Sequence, residues 1–99
     1  MLNIEKKAED KNLEIALTGR LDTTTAPELD KVIKDSIDGI ESFVFDFKNL
    51  EYISSAGLRV LLSTQKIMNK QGTMVVKNVS DEVKEIFEVT GFADIITIE

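Results

Sequence analysis

Cysteine and histidine are both missing from this 99-residue sequence, and each absence removes a body of chemistry. Without cysteine there is no disulfide framework, no thiolate nucleophile and no cysteine-ligated metal. Without histidine the commonest general base and the commonest transition-metal ligand are gone, which excludes a Ser-His-Asp hydrolase. Proline occurs once and glycine five times, with no low-complexity run and no internal repeat. Nothing therefore reads as a linker, and a single domain spanning residues 1–99 is expected. No apolar run approaches the roughly 18 residues of a membrane span, and no basic segment followed by an apolar one opens the chain. Neither a span nor a secretory signal is expected, which points to a cytoplasmic protein. Basic residues are also in deficit, 12 against 18 acidic, for a net charge of −6. Phosphate backbones require clusters of Lys and Arg, so direct nucleic-acid binding is disfavoured and a protein partner suits the charge better.

What is present alternates between the two-residue period of strands and the longer period of helices. Leu2 and Ile4, then Leu13, Ile15 and Leu17, flank the polar stretch Glu9-Asp10-Lys11-Asn12 and predict a hairpin that Gly19 ends. Thr23-Thr24-Thr25 supplies cap hydroxyls and Pro27 suits a first helical turn, with Leu29, Val32, Ile33 and Ile37 as the buried stripe and Gly39 near the end. Phe43 to Phe47 is apolar on both faces apart from Asp46, the pattern of a central strand covered by other structure. Leu58, Leu61, Leu62 and Met68 keep one helical face apolar up to a stop at Gly72. Thr73 to Lys77 predicts a strand. Ser80-Asp81-Glu82 starts a third helix carried by Val83, Ile86, Phe87 and Val89 toward Gly91, and Ile95, Ile96 and Ile98 supply a last short strand.

Such alternation requires parallel strands joined by right-handed crossovers. The expected fold class is α/β, an N-terminal hairpin leading into a mixed, mainly parallel sheet with helices packed against it. Parallel strands end along one edge, so the loops Gly19–Thr25 and Asn49–Ser55 should lie together, with Asp22 facing Ser54 and Ser55.

The junction Tyr52-Ile53-Ser54-Ser55-Ala56-Gly57-Leu58-Arg59 puts hydroxyls at a helix start. There the first N–H groups lack intrahelical partners and the dipole favours negative charge, so a phosphate on serine is electrostatically welcome. On local spacing the plainer reading is that Ser54 caps the helix, since serine is a favoured N-cap, which accounts for the pair without any switch. Gly57 either leaves room for a partner backbone or packs the helix closely on the sheet. Arg59 either pairs with an added phosphate or partner acid, or is a solvated surface charge. Asp22 reads equally as a partner-surface acid or as an Asx-type turn residue.

Thr18-Gly19-Arg20-Leu21-Asp22, the strand ending in Asp46-Phe47, Tyr52 to Leu58 and Val89-Thr90-Gly91-Phe92, in this order over almost the whole chain, together resemble the STAS domain of bacterial anti-sigma-factor antagonists. The resemblance implies a single STAS-like domain that works by partner switching. The unphosphorylated antagonist binds an anti-sigma factor that is itself a serine kinase of the GHKL type and so releases the sigma factor. Phosphorylation ends the binding, and a PP2C-type phosphatase restores it. The family's acceptor serine follows an aspartate; here that position is Ser55, with Ser54 replacing the aspartate and standing as the alternative acceptor. The partner surface implied comprises Asp22, Thr23, Thr24, Ser54, Ser55, Gly57 and Arg59, with no cofactor, no metal and no catalysis.

Two other readings compete. One keeps the fold as a constitutive scaffold or transport-associated subunit that no kinase modifies, a reading the replaced aspartate supports. The other compares Asp46 with the phospho-accepting aspartate of a receiver domain, but Lys6-Lys7-Ala8 lacks the second acidic cluster that a metal needs there. Asp46 then reads as a strand-end residue bonded to nearby backbone. No Gly-rich phosphate loop occurs.

Overall fold

Apolar alternation and helix-length stripes resolve, in a computed structural model that describes residues 2–99, into eight main elements. Met1, the first residue of the expected domain, lies outside the described residues. Strands β1 (Leu2–Glu9) and β2 (Asn12–Leu21) are followed by α1 (Ala26–Ser36), β3 (Ser42–Ile53), α2 (Ser55–Met68), β4 (Thr73–Lys77), α3 (Asp81–Thr90), a 3₁₀ turn (Phe92–Asp94) and β5 (Thr97–Ile98). The strands form one sheet in the order β1-β2-β3-β4-β5. β1 pairs antiparallel with β2, and β2 to β5 are parallel, as the alternation of strands and helices requires.

Because each crossover advances one strand in the same direction, right-handed connections put every helix on the same face. Burial follows that rule. Leu13, Ile15 and Leu17 on β2, Phe43, Phe45 and Phe47 on β3, and Met74 and Val76 on β4 are buried with Leu29, Ile33, Leu61, Val83 and Phe87 of the helices. Phenylalanine rings run in a row through this core, with centroids 4.7 Å apart for Phe43 and Phe45, 5.7 Å for Phe45 and Phe47, and 6.4 Å for Phe47 and Phe87. The opposite face, including Glu14, Ala16, Val44, Asp46, Val75 and Lys77, is only half-buried. The expectation that β3 is covered on both faces is therefore corrected: one-way winding leaves its second face without a helix.

Other differences have local causes. Gly19 does not end β2; it adopts φ 107° inside the strand, and register shifts on either side of it carry β2 on to Leu21 beside Ile53. Val89 lies in α3 as expected although it is 80 % exposed, and of the isoleucines expected in the last strand Ile98 is in β5 while Ile95 and Ile96 precede it. Gly91 ends α3 in the left-handed conformation, φ 82°. Gly72 follows α2 for a different reason: a Cβ there would overlap the Glu41 carbonyl oxygen and lie 2.6 Å from its carbon. Gln71 secures the same corner, donating to the Ile37 and Ile40 carbonyls at 2.8 and 2.6 Å.

Candidate functional site

Residues 19–21 and 49–53, expected in loops, are instead paired strand, and this long pairing of β2 with β3 brings the shorter remaining connections together. Leu21 lies opposite Ile53 in the parallel register, and the Ser54 amide donates to the Leu21 carbonyl at 2.8 Å. The β2–α1 turn and the start of α2 thus share a hydrogen bond across the sheet's C-terminal edge.

In the first loop, Asp22 is a turn residue. One carboxylate oxygen, Oδ1, accepts from the amides of Thr24 and Thr25 at 3.0 and 3.1 Å and from the Thr24 hydroxyl at 2.8 Å. The Thr24 hydroxyl, aided by those amides and the Thr25 hydroxyl, holds the Asp22 carboxyl below the usual aspartate range against a partial loss of hydration. Asp22 is thus an Asx-turn residue at the loop edge, with Thr23 and Thr24 exposed beside it. The expectation of cap hydroxyls from the threonine run is corrected in detail. Thr25 occupies the N-cap of α1, but its side chain makes no capping bond. It turns back toward β2 instead.

In the second loop the two serines part company. Ser54 has extended backbone angles at the N-cap of α2, and its hydroxyl accepts from the Gly57 amide at 3.4 Å. Ser55 is the first helical residue and is exposed, and no side-chain hydrogen bond found among the described residues uses its hydroxyl. Gly57 is buried; a Cβ there would lie 2.7 Å from Leu21 Cγ and 2.9 Å from Ile53 Cγ1. Its geometry is that of close packing between helix and sheet. Arg59 is exposed, one helical turn beyond Ser55, and takes part in none of the ion pairs found among the described residues. With Thr23, Ala26, Pro27, Asp30, Ala56 and Val60 it lines a cleft of about 310 Å³ between α1 and α2.

Sequence reasoning passed over two features of this edge. Arg20 stacks over Tyr52, its guanidinium carbon 4.4 Å from the ring centroid, a contact that depends on the shifted register opposing these residues. The buried Thr25 hydroxyl is the other, and nothing in its spacing distinguishes it from Thr23 or Thr24.

Asp46 stands apart from this edge. It lies inside β3, not at its end, although it is the last residue there paired with β4. Its Oδ1 accepts from Asn78 Nδ2 and the Lys48 amide, each at 3.0 Å. The Asn78 bond leads in holding its carboxyl below the ordinary value. Among the described residues, no three His, Cys, Asp or Glu side chains are grouped to hold a metal. Among the described residues, no helix is long and apolar enough to cross a membrane.

Fold and loops define a one-sided α/β domain that presents a serine hydroxyl at a helix N-terminus beside a carboxylate-centred turn. The STAS domain profile matches residues 3–99. An anti-sigma-B factor antagonist of Staphylococcus aureus is 33% identical over 99 residues, an alignment covering 98% of this chain and 92% of the relative. The crystal structure of an anti-sigma factor antagonist from Mycobacterium paratuberculosis has a TM-score of 0.89 at 21% identity, covering 99% of this chain and 85% of that one. The phosphorylated form of the Bacillus cell fate determinant SpoIIAA has a TM-score of 0.75 at 18% identity, covering 100% of this chain and 91% of that one. The chain belongs to the STAS-domain anti-sigma-factor-antagonist family.

Proposed function

We propose that this protein is a non-enzymatic anti-sigma-factor antagonist whose binding is switched at Ser55. The unphosphorylated form binds an anti-sigma factor serine kinase and releases the sigma factor; phosphorylation ends the complex, and a PP2C-type phosphatase reverses it. The observation that carries this reading is the division between the serines: Ser54 is engaged as the cap, whereas Ser55 is exposed with its hydroxyl uncommitted. A phosphate on Ser55 adds about −1.5 to −2 charges. It would sit at the positive N-terminal end of the α2 dipole, and Arg59 follows at the i+4 position. The same charge set against acidic partner groups opposes docking by about 2 to 5 kcal/mol, without a change of fold. Asp22, Thr23, Thr24 and Arg59 complete the contact surface in this reading, and Gly57 supports it from beneath.

The test combines the purified protein with an anti-sigma factor serine kinase from the same organism, with and without ATP. Complex formation without ATP, phosphate on Ser55 with ATP, loss of phosphorylation in Ser55→Ala and weakened binding by Ser55→Asp are the expected results. Phosphorylation that survives in Ser55→Ala but vanishes in Ser54→Ala would reassign the acceptor. Absence of any complex, with no modified Ser54 or Ser55 in cells at several growth states, would leave the constitutive scaffold as the better reading.

A further inference from the structure

Thr25 occupies a position whose usual chemistry it does not perform. A threonine at an N-cap ordinarily points its hydroxyl at the amides of the first helical turn. Here that bond is not made, and the side chain is buried, 7 % exposed. Its hydroxyl donates to the Arg20 carbonyl at 2.9 Å and accepts from the Asp22 amide at 2.8 Å. It also lies 3.2 Å from Asp22 Oδ1. One hydroxyl therefore grips the chain on both sides of Leu21, the residue whose carbonyl receives the Ser54 amide. Leu21 and Ile53 are also the side chains on which Gly57 rests.

We propose that Thr25 is a positioning residue that couples the β2–α1 turn to the serine loop. By clamping Arg20 and Asp22 it aims the Leu21 carbonyl at Ser54, and so sets the pose in which Ser55 is offered to a partner. The functional half of this inference rests on the reading of Ser55 as the switch; the coupling of the loops does not. Asp22 and its hydrogen bonds to Thr24 then form the outer surface of a turn whose inner support is Thr25.

The experiment compares wild type with Thr25→Val, which keeps the shape and removes the hydroxyl, and Thr25→Ser, which keeps the hydroxyl. Amide hydrogen exchange is followed at Ser54 and, as a distant reference, at Gly72, whose amide donates to the Met68 carbonyl. The expected result is exchange at Ser54 about tenfold faster in Thr25→Val, the factor matching loss of roughly one hydrogen bond, with Gly72 unchanged. Thr25→Ser should restore the wild-type rate. Equal acceleration at both amides would make Thr25 merely structural, and an unchanged Ser54 rate would remove the coupling; either overturns the proposal. Phosphorylation of Ser55 by the anti-sigma factor serine kinase supplies the second arm. A slower reaction in Thr25→Val, rescued in Thr25→Ser, supports the functional half, and unaltered kinetics despite faster exchange overturns it. If the kinase fails to modify even the wild type, the reading of Ser55 fails, while the exchange result still decides the coupling.

Discussion

Replacing Gly57 with alanine separates the two roles that a glycine in the first turn of α2 can have. The added methyl would lie 2.7 Å from Leu21 Cγ and 2.9 Å from both Leu21 Cδ2 and Ile53 Cγ1. Leu21 and Ile53 are 0% and 2% exposed, so neither can swing aside into solvent. Overpacking of this kind costs about 1–3 kcal/mol. Alanine returns up to about 1 kcal/mol of helix propensity. The net expectation is destabilisation by roughly 1 kcal/mol, a fall in Tm of about 4–8 °C for a domain of this size. Urea unfolding followed by circular dichroism reads the effect as a lower midpoint at unchanged slope. The Gly57 amide also donates to Ser54, so the same shift should loosen the cap. If Gly57 instead served only to admit a partner backbone, the free protein would gain propensity and lose nothing. A midpoint equal to or above wild type would refute the packing argument.

Further perturbations probe other parts of the same reasoning. Gly72→Ala places a methyl against Glu41 backbone atoms and should break the Thr73 amide bond to the Glu41 carbonyl and the Gln71 clamp, three bonds worth about 3 kcal/mol in all. Gly39→Ala meets no atom within 4 Å and bears only the strain of φ 78°, about 1–2 kcal/mol; a ranking with Gly39→Ala the costlier in urea would contradict the steric account. Ser54→Ala should cost about 0.5–1 kcal/mol, the lower part of the capping range because the bond is long. Ser55→Ala should stay within about 0.5 kcal/mol of wild type, and the reverse order in thermal melts would exchange the serines' roles. Asp46 holds its proton less tightly when folded than when unfolded, mainly through Asn78. Its contribution is therefore complete above the unfolded aspartate value near pH 4 and is lost as pH falls through the lower folded value. Asp46→Asn should flatten the acid limb of a stability profile below the unfolded aspartate value near pH 4, and an unaltered limb would show that Asp46 is not linked to folding.

Much of the local architecture was legible because local chemistry determines it. Ser54 and Ser80 cap their helices, with hydroxyls accepting from the Gly57 and Val83 amides, as serines before apolar helical stripes should. The hairpin, the three helices and the gathering of two loops at one edge follow from alternation and from the handedness of crossovers. Ile95 and Ile96 read as strand from their residue type, but the chain is still leaving the 3₁₀ turn Phe92–Asp94 there and pairs with β4 only from Thr97. Gly72 looked like a helix terminator, yet the closeness of Glu41, some thirty residues earlier in the chain, is what demands glycine there.

The site divides along the same line. Sequence by itself excluded thiol and imidazole chemistry, placed a serine pair at the start of a helix with Ser54 as its cap, and put Asp22 on the adjoining loop, where it read equally as a turn residue or a partner-surface acid. It did so because residue type, capping preference and strand polarity act over a few positions. Tertiary structure alone decided that no room is left over Leu21 and Ile53 for a Cβ at Gly57, that Arg20 stacks over Tyr52, and that Thr25 faces the sheet. Those outcomes depend on the shifted register of β2 against β3 and on one-sided winding, contacts between residues distant in the chain that no local pattern encodes.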